Sequence, residues 1–262
     1  MSVPKVIHYC WFGHNELSPK AKNAIASWER FAPGYEIRRC DESTLDIAAC
    51  SWAEAAYAAK RYAFVADYAR FKMLYEVGGV YMDLGSELIR DITDLVDTYS
   101  PFSAIEELSK TANTGLCVAA QRHNPVVANV LKRYESTNFV DEPEFLRAHT
   151  VNEMFTQELE QLGYVREDRM QVVGEWTLLP SEAFNPVYGF GGYHIRKGTY
   201  SIHHYSASWE SDVFKEKRRV VNAITPFVGR RAGQVIGRLA GELKYGSVSS
   251  LLSQSYSRFK NY

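Results

Sequence analysis

The sequence lacks an excess of charge of either sign, and this excludes one broad class of function. The chain has 30 Lys and Arg residues and 31 Asp and Glu residues, which gives a formal net charge of −1. Proteins that bind nucleic acid through its phosphates carry a clear positive excess. We therefore expect no nucleic-acid partner for the molecule as a whole.

Cysteine is scarce, and its spacing contains no metal or redox pattern. None of the four cysteines forms a Cys-x-x-Cys pair, so neither a zinc ribbon nor a redox motif is predicted. In a chain of 262 residues, we expect them to be buried thiols in a reducing compartment.

Long apolar runs are also missing. The amino-terminal stretch MSVPKVIHYCWFG has no basic region followed by a long apolar segment, so no signal peptide is predicted. No run approaches the roughly 18–20 apolar residues that cross a bilayer. These two observations predict a cytoplasmic protein. A hydrophobic content of 46% suffices for one sizeable core.

The order of predicted elements indicates an α/β fold. Residues 3–11 form a predicted strand, Ser18 and Pro19 begin a helix that runs to about Phe31, and residues 35–40 alternate apolar and polar side chains like a half-buried strand. A β-α-β opening is typical of a doubly wound, parallel sheet. Further helices are predicted over residues 52–77, 91–99, 125–134 and 142–162, and further strands over 80–82, 102–106, 115–120 and 200–205.

The carboxyl-terminal region differs in composition from the rest of the chain. From Lys215 onward, basic residues alternate with apolar ones, which predicts an amphipathic, basic helical extension over residues 215–262 after a domain over residues 1–214. The apolar side of this extension either packs on the domain or contacts an anionic membrane surface.

Four residues in the first half are candidates for ligand contacts. Asp67 and Arg70 lie three residues apart and share a helix face, either as a surface ion pair worth ~0.2–0.5 kcal/mol or as a pair that points into a cleft. Asp83 follows a short strand, where open α/β sheets bind ligands, although aspartate there also caps turns. Trp11 ends the first strand and either stacks on a flat base or belongs to the core.

A late segment, YSIHHYSASW over residues 200–209, is dense in groups that bind metals or phosphates. Adjacent residues on a strand point to opposite faces, so at most one of His203 and His204 faces a site. The alternative is that neither histidine binds a ligand.

Taken in order, VIHYCWFG, ADYARFKMLYEVGGVYMDLGSEL and SIHHYSASW resemble glycosyltransferase family 32, whose sugar-binding region contains an Asp-x-Asp motif. They are more distantly similar to the glucosyltransferase domains of clostridial toxins. The resemblance covers residues 3–209 and is most specific over 66–87. It implies a GT-A fold, a Rossmann-like, mixed and mostly parallel sheet flanked by helices. It also implies a nucleotide-sugar donor, usually a UDP-sugar, and retention of anomeric configuration.

The resemblance also implies roles for single residues. Trp11 would stack on the uracil, and Tyr81 would belong to the donor site. Asp67 and Arg70 would contact the donor sugar, with Arg70 also near the diphosphate. Asp83 would be the first acid of the motif, near the ribose and the metal, and would join Asp67 and Arg70 as the catalytic set.

The late segment has implied roles at the diphosphate. Residues 204–209 would close over it, with His204 or Ser208 near the metal and Trp209 near the leaving oxygen.

Gly85 departs from the motif, because the second Asp, which normally binds the metal, is absent. Three alternatives follow. Glu87 replaces the second Asp as a metal ligand, or Asp83 holds Mn²⁺ or Mg²⁺ weakly together with diphosphate oxygens and water. The third alternative is that the enzyme needs no metal. In the last case basic groups would balance the diphosphate charge: Arg70, Arg196, Lys197 and a protonated His203 or His204.

These expectations combine into a cytoplasmic bacterial glycosyltransferase that moves a hexose-type sugar from a UDP-sugar to a saccharide acceptor. The acceptor is expected to be linked to polyprenyl diphosphate during surface-polysaccharide synthesis, capsular or lipopolysaccharide, on the inner face of the cytoplasmic membrane. One alternative is another donor, such as a GDP- or CMP-sugar. The other is a non-catalytic nucleotide-sugar or glycan-binding protein with a degenerate metal site.

Overall fold

The computed structural model describes residues 2–186, 195–204 and 212–245. Within these ranges the chain forms two compact units, one of residues 2–186 with 195–204 and a second that contains residues 212–245. The predicted domain boundary at residue 214 stays a prediction.

The first unit is built on a seven-stranded sheet. Its strands are β1 (Val6–Cys10), β2 (Glu36–Cys40), β3 (Gly79–Tyr81), β5 (Phe102–Ile105), β6 (Ala112–Ala120), β7 (Gln171–Val173) and β8 (Trp176–Leu179), in the order β2-β1-β3-β6-β5-β8-β7. Strands β4 (Ser86–Leu88) and β9 (Ser201–His203) form a separate antiparallel pair.

Five of the seven strands run in one direction. Strand β1 is parallel to β2 and β3, β5 is parallel to β8, and β6 and β7 run the opposite way. The predicted mixed and mostly parallel sheet flanked by helices is confirmed.

Helices cover both faces of this sheet. They are α1 (Pro19–Phe31), α2 (Ser51–Ala58), α3 (Tyr62–Glu76), α4 (Thr93–Tyr99), α5 (Pro125–Ser136), α6 (Pro143–Ala148), α7 (Val151–Glu160) and α8 (Ser181–Phe184), followed in the second unit by α9 (Asp212–Tyr245). Helix α1 begins as predicted, with the Ser18 hydroxyl accepting from the Ala21 amide at 3.2 Å.

Two buried clusters place α1 and α3 on opposite faces of the sheet. Trp28 of α1 packs in one cluster with Val80, and Phe71 of α3 packs in the other with Tyr81. Val80 and Tyr81 are neighbours on β3, and successive side chains of a strand point to opposite faces. The carboxyl end of β3 is therefore flanked by α1 on one side and α3 on the other.

Two segments that were each predicted as one continuous helix are divided into two helices in the structure. Residues 52–77 form two helices, because Lys60 adopts a left-handed conformation (φ 57°) between α2 and α3. Residues 142–162 are likewise divided, because the Thr150 hydroxyl accepts from the Glu153 amide at 3.3 Å and begins α7 anew.

The late strand is confirmed at Ser201–His203, and residue 205 of the predicted range lies outside the described residues. Helix α9 consists of two helical segments that meet at Gly229, whose φ of 78° is not helical. None of the helices in the described ranges combines the length and apolar composition of a transmembrane span.

Candidate active site

The parallel pairing of two strands gathers the candidate residues at one edge of the sheet. His8 of β1 pairs with Tyr81 of β3, so Trp11 and Asp83 follow the carboxyl ends of neighbouring strands. Ligands of open α/β sheets bind outside such ends.

Arg70 of α3 is the centre of a buried polar cluster. Its guanidinium lies 2.7 Å from Asp67 Oδ1 and 3.5 Å from Asp83 Oδ1, and it donates to Thr114 Oγ1 at 3.1 Å. It also lies over the ring of Tyr81, 4.6 Å from the ring centroid. The Arg70 and Asp67 side chains are only 6% and 13% exposed. The alternative of a surface ion pair is therefore wrong, because this pair is desolvated and fixed by several partners.

Asp83 is the most accessible carboxylate of this cluster, with 38% of its side chain exposed. The Tyr81 hydroxyl donates to its Oδ1 at 2.9 Å, and its amide donates to the Gly115 carbonyl at 2.9 Å. A Cβ on Gly115 would overlap Asp83 Oδ2. Sequence reasoning missed Thr114 and Gly115, although a glycine inside a strand signals close approach of another group.

Burial changes the proton affinity of the cluster. It raises the pKa of Asp67 to about 6, with Asp83 adding to the rise and Arg70 opposing it. Burial also raises the pKa of Tyr81 well above its ordinary value, which keeps that phenol protonated. The cluster therefore has one permanent cation between two carboxylates, one of which titrates near neutral pH.

Trp11 is half-buried at the rim of the α1-side core. Its indole Nε1 donates to the Asn15 carbonyl at 2.7 Å, which fixes the orientation of the ring. Its role in base stacking stays a prediction.

Gly85 lies in a tight turn directly after Asp83. The Ser86 amide donates to the Asp83 carbonyl at 2.8 Å, and the His204 amide donates to the Gly85 carbonyl at 2.7 Å. The φ of Gly85 is not in the left-handed region, but a Cβ there would lie 3.0 Å from both Cε1 and Nε2 of His203. The His203 ring thus borders the space that the side chain of a second Asp would enter.

The two histidines of the late strand make different contacts beside this turn. His203 is buried near Gly85, whereas His204 Nε2 lies 2.7 Å from Glu87 Oε2. Strands β4 and β9 bring Glu87 and His204 together, which sequence spacing did not predict.

The described residues do not fit a divalent ion held by the protein. No group of three or more metal-binding side chains occurs among them. Asp83 is bonded to Tyr81 and faces Arg70, position 85 has no side chain, and Glu87 pairs with His204. The expectation of a weakly held Mn²⁺ or Mg²⁺ stays a prediction.

The remaining predicted residues are dispersed or lie outside the described ranges. Arg196 Nη1 lies 3.4 Å from Glu182 on α8, with its side chain 67% exposed, and Lys197 is exposed in the following turn. Their part in balancing diphosphate charge stays a prediction. Ser208 and Trp209 are outside the described residues.

Comparison with known proteins identifies a related sequence region. The family described as "glycosyltransferase sugar-binding region containing DXD motif" matches residues 18–102, about a third of the chain, including the Arg70 cluster from α3 to Asp83. The predicted resemblance to glycosyltransferases with this motif is confirmed. No curated protein matches the sequence.

Two solved structures are similar at low sequence identity. The PaToxG glycosyltransferase is 19% identical, with a TM-score of 0.48, over 61% of this chain and 68% of its own. The galactosyltransferase LgtC, in complex with donor and acceptor sugar analogues, is 14% identical, with a TM-score of 0.31, over 68% of this chain and 74% of its own.

Proposed function

We propose that this chain is a glycosyltransferase that moves a sugar from a nucleotide sugar to an acceptor. One observation carries the proposal: the motif acid, Asp83, meets a buried arginine and a second carboxylate at the ligand-binding edge of the sheet. The family match covers the same residues.

The chemistry of sugar transfer suits these groups. Cleavage of the sugar–phosphate bond leaves a negatively charged diphosphate and a sugar with oxocarbenium character, which fixed charges stabilise. Asp67 accepts hydrogen bonds from the sugar hydroxyls. Asp83, whose side chain is more than a third exposed, accepts hydrogen bonds from the ribose hydroxyls. Arg70 offsets both carboxylates and contributes positive charge near the departing diphosphate.

The finer parts of the proposal rest on the family resemblance. The donor is a UDP-sugar carrying a hexose, and transfer occurs with retention by a same-face displacement that needs no protein nucleophile. The acceptor is a saccharide carried on polyprenyl diphosphate at the cytoplasmic side of the membrane, during synthesis of a surface polysaccharide.

A non-catalytic binding protein is the second candidate function, because Gly85 removes one acid of the motif. Nucleotide release from UDP-glucose, UDP-galactose, UDP-N-acetylglucosamine, GDP-mannose and a CMP-sugar, measured without acceptor, separates the two. Slow UDP release by the wild-type chain, together with its loss in Asp67→Asn, would support the function of an enzyme. Tight donor binding with no release above the Asp67→Asn background would support the binding protein.

Trp11 provides a prediction about the nucleoside. Trp11→Ala is expected to raise the donor KM about 5- to 100-fold with a smaller change in kcat, because a stacked base is worth ~1–3 kcal/mol and is remote from the reacting bond. Steady-state kinetics over a donor titration measures both constants. A variant that no longer folds would assign Trp11 to the core instead.

The second unit provides a prediction about membrane contact. Apolar side chains of α9 are exposed, including Leu239 at 46% and Leu243 at 71%. The double variant Leu239→Glu/Leu243→Glu is expected to weaken co-sedimentation with anionic vesicles at least tenfold, since burying one leucine is worth roughly 1.5–3 kcal/mol. Val172→Glu, which changes a 69% exposed residue of β7, is the control. Equal sedimentation of both variants would remove the membrane from the proposal.

A further inference from the structure

A cavity of about 290 Å³ lies beside the turn that contains Gly85, on the α1 side. It is lined by Lys20, Asn23, Ala24, Gly85, Glu87 and His204. The Arg70 cluster contacts the same segment from the α3 side, and α1 and α3 cover opposite faces of the sheet. The turn therefore has a polar site on each side, and the donor contacts proposed above use only one of them.

Small residues form part of the wall of this cavity. Gly85 contributes only backbone to its wall, and neighbouring Ala24 is small. An aspartate at position 85 would instead direct its Cβ toward the His203 ring, at 3.0 Å. The departure from the motif thus lies in the wall of this cavity.

The lining chemistry favours a neutral, hydroxyl-rich ligand. Lys20 contributes a positive charge and hydrogen-bond donors, and Glu87 contributes a negative charge and hydrogen-bond acceptors. The Asn23 amide contributes both a donor and an acceptor. The charges of Lys20 and Glu87 cancel, whereas a diphosphate site requires an excess of positive charge. His204 Nε2 fixes the Glu87 carboxylate at 2.7 Å, which makes it an oriented acceptor.

The size of the cavity limits the ligand. Pockets for small molecules span roughly 300–1,000 Å³, and this one is at the lower end of that range. Such a volume suits a single sugar ring, and the partial exposure of Glu87 and His204 leaves a path by which the remainder of a glycan reaches solvent.

We infer that this cavity is the acceptor subsite and that it binds one neutral sugar ring through Asn23, Lys20 and the Glu87–His204 pair. The inference rests on the proposed function and assigns it a second, separate binding site. It also gives Glu87 a different role from that of a replacement metal ligand.

Saturation-transfer NMR with a panel of methyl glycosides tests the inference. We expect at least one glycoside to bind the wild-type chain and Asn23→Leu to weaken that binding at least tenfold, because leucine fills the cavity and removes the amide. Lys22→Leu is the matched control, since Lys22 is exposed on the same helix but does not line the cavity. Glu87→Gln, which keeps the shape and removes the charge, should also weaken binding.

Three results would overturn the acceptor subsite. They are no binding by any methyl glycoside, equal binding by Asn23→Leu and Lys22→Leu, and displacement of the glycoside from the wild-type chain by inorganic diphosphate. Failure of the proposed function would be seen separately, as the absence of nucleotide release by the wild-type chain with every donor.

Discussion

Asp67→Asn and Arg70→Lys are each expected to lower sugar transfer by ~10²–10³-fold, the usual cost of losing one oriented polar contact to a transition state. Asparagine keeps the shape of Asp67 but removes its charge. Lysine keeps the charge of Arg70 but cannot reproduce the planar contacts to Asp67 and Thr114, at 2.7 and 3.1 Å. Initial rates of UDP release with saturating donor measure both effects.

Lysine is a more informative replacement for Arg70 than alanine. Arg70→Ala would leave Asp67 and Asp83 without their shared cation in a largely buried place, and breaking a buried ion pair costs about 3–5 kcal/mol of stability. Loss of activity would then be confused with loss of the fold. Arg133→Lys is the control, because Arg133 pairs with the buried Glu158 at 3.4 Å, away from the cleft.

The pH dependence adds an independent signature to this prediction. Because burial raises the pKa of Asp67 to about 6, wild-type transfer should rise with pH through that value as the carboxylate ionises. Asp67→Asn should lack that rise. Transfer within a few-fold of wild type in both Asp67→Asn and Arg70→Lys would make the cluster a structural feature only.

Restoring the second acid of the motif is expected to harm the protein unless His203 is also changed. In Gly85→Asp, the new Cβ would lie 3.0 Å from two atoms of the buried His203 ring. Overpacking of this kind costs about 1–3 kcal/mol, and a displacement of about 1 Å near the reacting centre lowers rates up to ~10²-fold. We expect a lower melting temperature, at least tenfold slower transfer and no Mn²⁺ bound without donor.

The double variant Gly85→Asp/His203→Ala should recover part of the lost stability, because alanine vacates the space that the aspartate needs. It should also bind Mn²⁺ without donor, measured by electron paramagnetic resonance. Gly198→Asp is the control, since within the described part of the chain no atom other than those of its sequence neighbours lies within 4 Å of a Cβ there. Tight Mn²⁺ binding by the wild-type chain, or a Gly85→Asp single variant with wild-type stability and transfer, would contradict this account.

Elements governed by local chemistry were predictable from the sequence. Ser18 and Pro19 indicated the start of α1, and the glycines before residue 80 marked the end of α3 and the beginning of β3. The periodicity of residues 52–77 did not reveal the break at Lys60, because a single left-handed residue leaves the apolar pattern on either side intact. Strand β4 is three residues long and too short for a periodic signal.

The candidate site was predictable only where its residues are near one another in sequence. Asp67 and Arg70 lie three residues apart on one helix, so their pairing followed from spacing. Asp83 follows β3 by two residues, as its position after a short apolar run indicated. Thr114 of β6 reaches Arg70, 44 residues away, and His204, which directly follows β9, reaches Glu87, 117 residues away. Such contacts depend on strand order, which local patterns do not contain.

Donor binding tests the central claim most directly, and isothermal titration with UDP and a UDP-sugar in EDTA measures it. We expect binding without metal that is at least tenfold weaker in Arg70→Lys and unchanged in Arg133→Lys. Failure of UDP and every nucleotide sugar to bind, with or without Mn²⁺, would contradict the proposed function.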